Sequence, residues 1–269
     1  MSRLRPYLAF MRASFSMNLA YRMHIVFWIF SDFIQIGLML LVWVAVYQNS
    51  DSALIYGFSL NQILIYNLIV NMSASFTRMN PVWDIAEDYY DGRVAMSLIK
   101  PTRYITQIFF QNLGSNIFGN ILISLPLSIA LVVLGINHQI DITLLSLALY
   151  VLSLGMGLFI SFYANFIFAN LVFYTDATFG MFQLNEAIVR IFSGSLIPLV
   201  FFPGWLKLIA DFLPYGSIQY IPTMILMGRI TGTEIVLRML IQLAWVLGLA
   251  LSAHMLWNHS LRRMKVHGG

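Results

Sequence analysis

The sequence predicts an all-α integral membrane protein with about six transmembrane helices. Three observations predict it. Of the 269 residues, 59% are hydrophobic and only 10% are charged, against about 25% charged in an ordinary soluble domain. Six stretches are long and apolar enough to cross a bilayer. Strict apolar/polar alternation is absent from all of them, which argues against a β-barrel. A soluble chain of this length would have to cover itself with polar side chains, and this one has too few.

The elements follow in order. Residues 3–22 read as a basic amphipathic helix lying in the headgroup layer. Leu4, Leu8, Met11, Phe15 and Leu19 fall near one face, with Arg3, Arg5, Arg12 and Arg22 mostly elsewhere. These arginines also interrupt any cleavable leader. The spans are expected at 24–47, 60–78, 105–134, 142–168, 182–202 and 234–258. Basic residues orient them. Arg78, Arg93, Lys100 and Arg103 lie between spans two and three. Arg262, Arg263 and Lys265 lie after span six. With the N-terminal arginines they place both termini in the cytoplasm. The whole chain, 1–269, reads as one transmembrane domain. The net charge of +4 therefore concerns orientation and gives no reason to expect a nucleic-acid partner.

Three segments carry more information than hydropathy. Between spans two and three, Asp84, Glu87, Asp88 and Asp91 fall at helical spacing. Trp83, Ile85 and Tyr89 supply apolar surface, and Gly92, followed by Arg93, reads as a helix stop. The segment is either a docking surface for a soluble partner or a solvated helix end. After span five, Pro198, Pro203, Gly204, Trp205 and Pro214 interrupt an apolar stretch. It is too apolar for a free loop and too broken for one span. A re-entrant hairpin over about 203–230, dipping in from the outer face, accounts for both properties.

The third signal is polar residues inside the spans. Asn67, Asn71 and Ser75 repeat every fourth residue in span two. Asn112, Asn116 and Asn120 do so in span three, and Gly157, Ser161 and Asn165 in span four. Each set marks one helix face, which serves either helix packing or an uncharged translocation path. Asp32, with Gln35 three residues on, is a rare acid in span one. It either reaches for the interface or has a functional role. Glu186 and Arg190 are spaced to pair within span five.

Catalytic signatures are absent. The sequence has no G-x-x-x-x-G-K-[ST] phosphate loop, no H-E-x-x-H and no G-x-S-x-G. It has no cysteine, and His24, His138, His254, His259 and His267 are scattered, so no metal site is expected. A secondary transporter would show inverted repeats and midplane charges. An intramembrane enzyme would show convergent acid, base or metal groups. Neither pattern is visible.

The order of these segments resembles the permease subunits of type-2 ABC exporters, and most closely a bacterial branch of permeases about as long as this chain. The features carrying the resemblance are the basic N-terminal helix and six spans. To these are added "Asp-Ile…Gly-Arg-Val…Leu-Ile-Lys-Pro" beginning at Asp84 and "Phe-Phe-Pro-Gly-Trp-Leu…Leu-Pro-Tyr" beginning at Phe201. The resemblance implies a non-catalytic subunit of the bacterial inner membrane. It implies that residues 81–90 form a coupling helix, turned at Gly92 and Arg93, that meets a dimer of ATP-binding subunits. ATP and Mg would be held there, with no cofactor in this chain. A second permease chain, identical or related, and a hydrophobic or amphipathic substrate are also implied.

Overall fold

The computed structural model describes residues 4–20, 22–138, 142–174 and 178–263. Arg3, Lys265 and His267 lie outside them. The described residues form eleven α-helices and three short 3-10 segments, with no strand. Four helices are long and apolar enough to cross a membrane. They are α2 (Arg22–Gln48), α6 (Tyr104–His138), α7 (Leu144–Ala169) and α11 (Thr233–Arg263).

The second expected span is a helix, α3 (Leu60–Thr77), but its amides leave it less apolar than those four. It is enclosed instead, with Ile63, Ile65, Tyr66, Asn67 and Ile69 all fully buried. A helix walled by protein does not have to be apolar all round. Its start is fixed by a reciprocal cap between Ser59 and Gln62.

The fifth expected span does not form one helix. The helix α8 (Thr178–Phe192) stops, and Gly194 takes a left-handed conformation with φ +81°. The Tyr66 hydroxyl donates to the Gly194 carbonyl at 2.7 Å. A Cβ on Gly194 would lie 2.8 Å from that hydroxyl and 3.0 Å from Tyr220 Cβ. Glycine is required there, and it ends the helix before Pro198. A 3-10 turn at Leu199–Phe201 follows, then α9 (Gly204–Phe212), a second turn at Pro214–Ser217 and α10 (Tyr220–Leu226).

The first helix, α1 (Arg5–Ala20), packs against α6. Its contact stripe shares Met11 with the expected apolar face but not the leucines. Tyr7 stacks on Phe110 at 5.6 Å, Met11 meets Gly114, and Asn18 donates to the Ser115 carbonyl at 2.7 Å. A Cβ on Gly114 would collide with the Met11 carbonyl, so the absent side chain is what lets the backbones approach. Leu4, Leu8 and Leu19 remain exposed.

The helices run up and down between two ends. At one end α4 (Pro81–Tyr90) and α5 (Arg93–Leu98) join a core of Ile85, Tyr104, Phe166, Val172 and Trp257. At the other, Trp43, Phe58, Ile63 and Ile230 pack together. Between them α11 is tied to α7 and to the broken segment. Gln242 accepts from Ser153 at 2.9 Å and donates to the Ser217 carbonyl at 2.8 Å.

Gly194→Ala should lower stability by about 1–3 kcal/mol through backbone strain. Gly119→Ala, with no atom within 4 Å of its Cβ, should cause no loss. Thermal denaturation of both variants in one detergent measures the difference.

Candidate functional site

The polar residues of the spans converge on the break between α3 and α4. Arg78, Met79 and Asn80 are not helical, so their backbone groups need partners from elsewhere. Asparagines supply them. Asn116 on α6 donates to the Arg78 carbonyl at 2.9 Å. Asn165 on α7 donates to the Met79 carbonyl. The Asn80 N–H donates to Asn112 Oδ1 at 2.9 Å. Asn185 on α8 supports Asn165 by donating to its Oδ1 at 2.8 Å. The Arg78 side chain reaches Asp32 on α2 at 3.0 Å. Asp32 is thus half of an ion pair.

Beyond this elbow hangs α4, opened by Pro81. Two of its residues turn toward the protein. Ile85 is fully buried in the core. Asp84 is half-buried and accepts from Asn112 Nδ2 at 2.6 Å. An amphipathic helix turns its apolar stripe to the protein, and Asp84 lies beside that stripe. Its burial pushes the carboxyl up to about 6, helped by Asp88 and Glu87 and opposed by the Asn112 hydrogen bond and Arg93. Asp88 is also raised, first by burial; the Tyr104 hydroxyl donates to it at 2.9 Å. The exposed face is Trp83, Glu87, Tyr90 and Asp91. At Gly92, φ +68° turns the chain. Arg93 does more than follow that turn. Its guanidinium gathers Glu87 at 2.6 Å, Asp91 at 3.2 Å and Asp88 at 3.4 Å.

Above the elbow lies a cavity of about 440 Å³ between α2, α3, α7 and α8. Gln35, Asn67, Asn71, Asn165, Asn185 and Gln219 give it a polar wall. Its charged lining is Arg78, Glu186 and Arg190. Glu186 and Arg190 pair as their spacing predicts, at 2.9 Å. Arg190 also reaches Gln35 at 3.5 Å, joining α8 to α2. Apart from Ser31 and Gln35, the α2 side is apolar, with Ile34, Leu38, Met39 and Val42.

The expected polar faces therefore separate. Asn67 and Asn71 of α3 share the cavity with Ser161 and Asn165 of α7. Asn112 and Asn116 serve the elbow, and Asn120 is half-buried on α6 away from the cavity. Ser75 bonds back to Met72 within α3, and Gly157 meets the Ile218 backbone. Sequence spacing missed Asn80, Asn185 and Gln219, which lie on no repeating stripe. In the broken segment, Pro203 caps α9, Gly204 opens it, and Trp205 is exposed on it; Pro198 precedes the first 3-10 turn and Pro214 begins the second. Gln219 accepts from Ser193 at 3.0 Å and donates to Thr77 at 3.4 Å, so this segment reaches the cavity wall. Among the described residues no acidic, histidine or cysteine cluster could hold a metal.

A family model for ABC-2 family transporter proteins matches residues 33–268. The chain belongs to this family. No curated protein and no solved structure matches it. This ABC-2 chain is accordingly a multi-pass membrane protein of transport, from a family whose permeases are normally non-catalytic and work with an ATP-binding subunit.

Asp84 gives a pH prediction. Its folded carboxyl titrates near 6, above the ordinary value of about 3.9. The folded state therefore binds the extra proton, and stability falls as pH rises between those values. Asp84→Asn should remove that part of the slope. The apparent Tm of wild type relative to Asp84→Asn should drop by a few degrees from pH 4 to pH 7. Parallel Tm profiles would contradict the assignment.

Proposed function

We propose that this chain is the membrane-spanning permease subunit of an ATP-driven exporter. Its cavity forms part of the translocation path, and α4–α5 is the segment that receives force from a separate ATP-binding subunit. The observation that carries this reading is the elbow. One asparagine, Asn165, is both a wall residue of the cavity and the donor that holds the Met79 carbonyl just before α4. Movement of α4 is thereby transmitted to the cavity. Trp83 adds a second link, with its ring 5.1 Å from that of Phe182 on α8, which also lines the cavity.

The exposed part of α4 suits a protein partner. Trp83 and Tyr90 offer aromatic anchors, and Glu87 and Asp91 offer charge. The partner is a dimer of ATP-binding subunits that holds ATP and Mg, since this sequence has no phosphate loop. Six crossings are retained in this reading. Enclosed α3 is the second, and α8 with the turns to Phe201 is the fifth. The α9–α10 segment is a re-entrant hairpin, packed against α3 and α7 and hydrogen-bonded to α11 where Gln242 donates to the Ser217 carbonyl. The distribution of basic residues supports a cytoplasmic α4 and cytoplasmic termini in a bacterial inner-membrane protein. A second permease chain, identical or related, completes the path. The substrate is hydrophobic or amphipathic.

The test is copurification. Alone in nanodiscs the chain should hydrolyse no ATP, and hydrolysis should appear with its partner. Glu87→Lys combined with Asp91→Lys should weaken ATPase association about tenfold at low salt, with a smaller effect at high salt. Unchanged association at every salt concentration would overturn the docking role of this face.

A further inference from the structure

The cavity wall carries charge and yet offers none. Its cationic side chains are both spoken for, Arg78 by Asp32 at 3.0 Å and Arg190 by Glu186 at 2.9 Å. A charged ligand head would have to break one of these pairs, leaving the other partner exposed to a low-dielectric surrounding. What the wall does offer is unused hydrogen-bonding capacity. Asn67 Nδ2, Asn80 Oδ1 and Asn185 Oδ1 are buried atoms without a hydrogen-bond partner, and all three residues line the cavity. Unpaired buried polar atoms are costly, and native proteins keep few of them. One donor and two acceptors spread along the lining match a head with several hydroxyls, each able to accept and to donate.

The opposite side of the cavity is made for a chain. Ile34, Leu38 and Val42 of α2 line it and are exposed. The cavity therefore runs from a polar wall to an exposed apolar helix surface. Its volume of about 440 Å³ lies within the range of small-molecule sites, about 300–1,000 Å³.

We propose that the cavity receives the uncharged, hydroxyl-bearing head of a lipid, with the acyl chains lying along α2. The inference rests on reading the cavity as part of the translocation path, and it names the substrate class of that path. Asn67, Asn80 and Asn185 bind the hydroxyls. The two ion pairs keep the wall neutral and so exclude anionic and cationic heads. The contact of Arg190 with Gln35 stands between α2 and α8 where the head enters.

The test uses the full chain in phosphatidylcholine nanodiscs and three photoreactive lipids. All share one diazirine-bearing acyl chain and differ in head: glucosyl, phosphoglycerol or trimethylammonium. Cross-links are mapped to peptides of α2, α3 and α8. The glucosyl lipid should label these peptides about tenfold more than either charged lipid. Asn67→Leu should reduce that labelling. Glu186→Gln, nearly isosteric and at a partly exposed site, frees Arg190 and should shift preference to the phosphoglycerol head. Equal labelling by all three heads, preference for a charged head in the wild type, or an unchanged ratio in Glu186→Gln would overturn the proposal. Absence of labelling at the cavity would do the same. None of these readouts needs the ATPase. Failed copurification would overturn the permease reading while leaving the head-group ratio standing, and head-independent labelling with intact copurification would overturn the substrate class alone.

Discussion

A helix that ends within a membrane protein leaves carbonyl and N–H groups without helical partners, and hydrocarbon supplies none. The break between α3 and α4 meets this constraint with side-chain amides. Asn116, Asn165 and Asn112 bind the backbone of Arg78, Met79 and Asn80 in turn, and Asp32 holds the Arg78 side chain. These partners come from α6, α7 and α2, with Asn185 of α8 behind Asn165. The elbow is thus the point at which most of the bundle meets. The direction of α4, the burial of Asp84 and the floor of the cavity all depend on it.

The same amides account for the arrangement around them. An uncharged amide satisfies one donor and one acceptor without the desolvation cost of an ion. Where ions do occur near the elbow and cavity they are paired, as Asp32–Arg78 and Glu186–Arg190. On α4 the acids are gathered by Arg93, which leaves Glu87 and Asp91 at the surface and Asp84 beneath it. Force applied to the outer face of α4 meets a segment that is hydrogen-bonded at its first turn and packed through Val82, Ile85 and Ala86.

Much of this was legible in the sequence, and unevenly so. The helices α2, α6, α7 and α11 were readable because lipid-facing surface must be apolar, and hydropathy reports exactly that demand on composition. Enclosed α3 and short α8 were less so, since protein neighbours relax the demand. The break at Gly194 was missed because a left-handed glycine and its contact with Tyr66 are tertiary facts. The asparagine stripes were visible by spacing, but their partner is the non-helical backbone of another segment, which periodicity cannot name. Asp32 and Arg78 were each noted, but their pairing joins residues 46 positions apart. For α4 the amphipathic pattern was clear, while the inward turn of Asp84 needed knowledge of Asn112.

The account makes the elbow the mechanical joint between α4 and the cavity. Hydrogen–deuterium exchange in nanodiscs measures this directly, comparing wild type with Asn165→Leu. Losing the Asn165 donor should speed exchange across residues 79–92 while residues 60–70 of α3 exchange as before. Unchanged exchange over 79–92 would mean that α4 is held by its apolar packing alone, and the elbow would not be the joint.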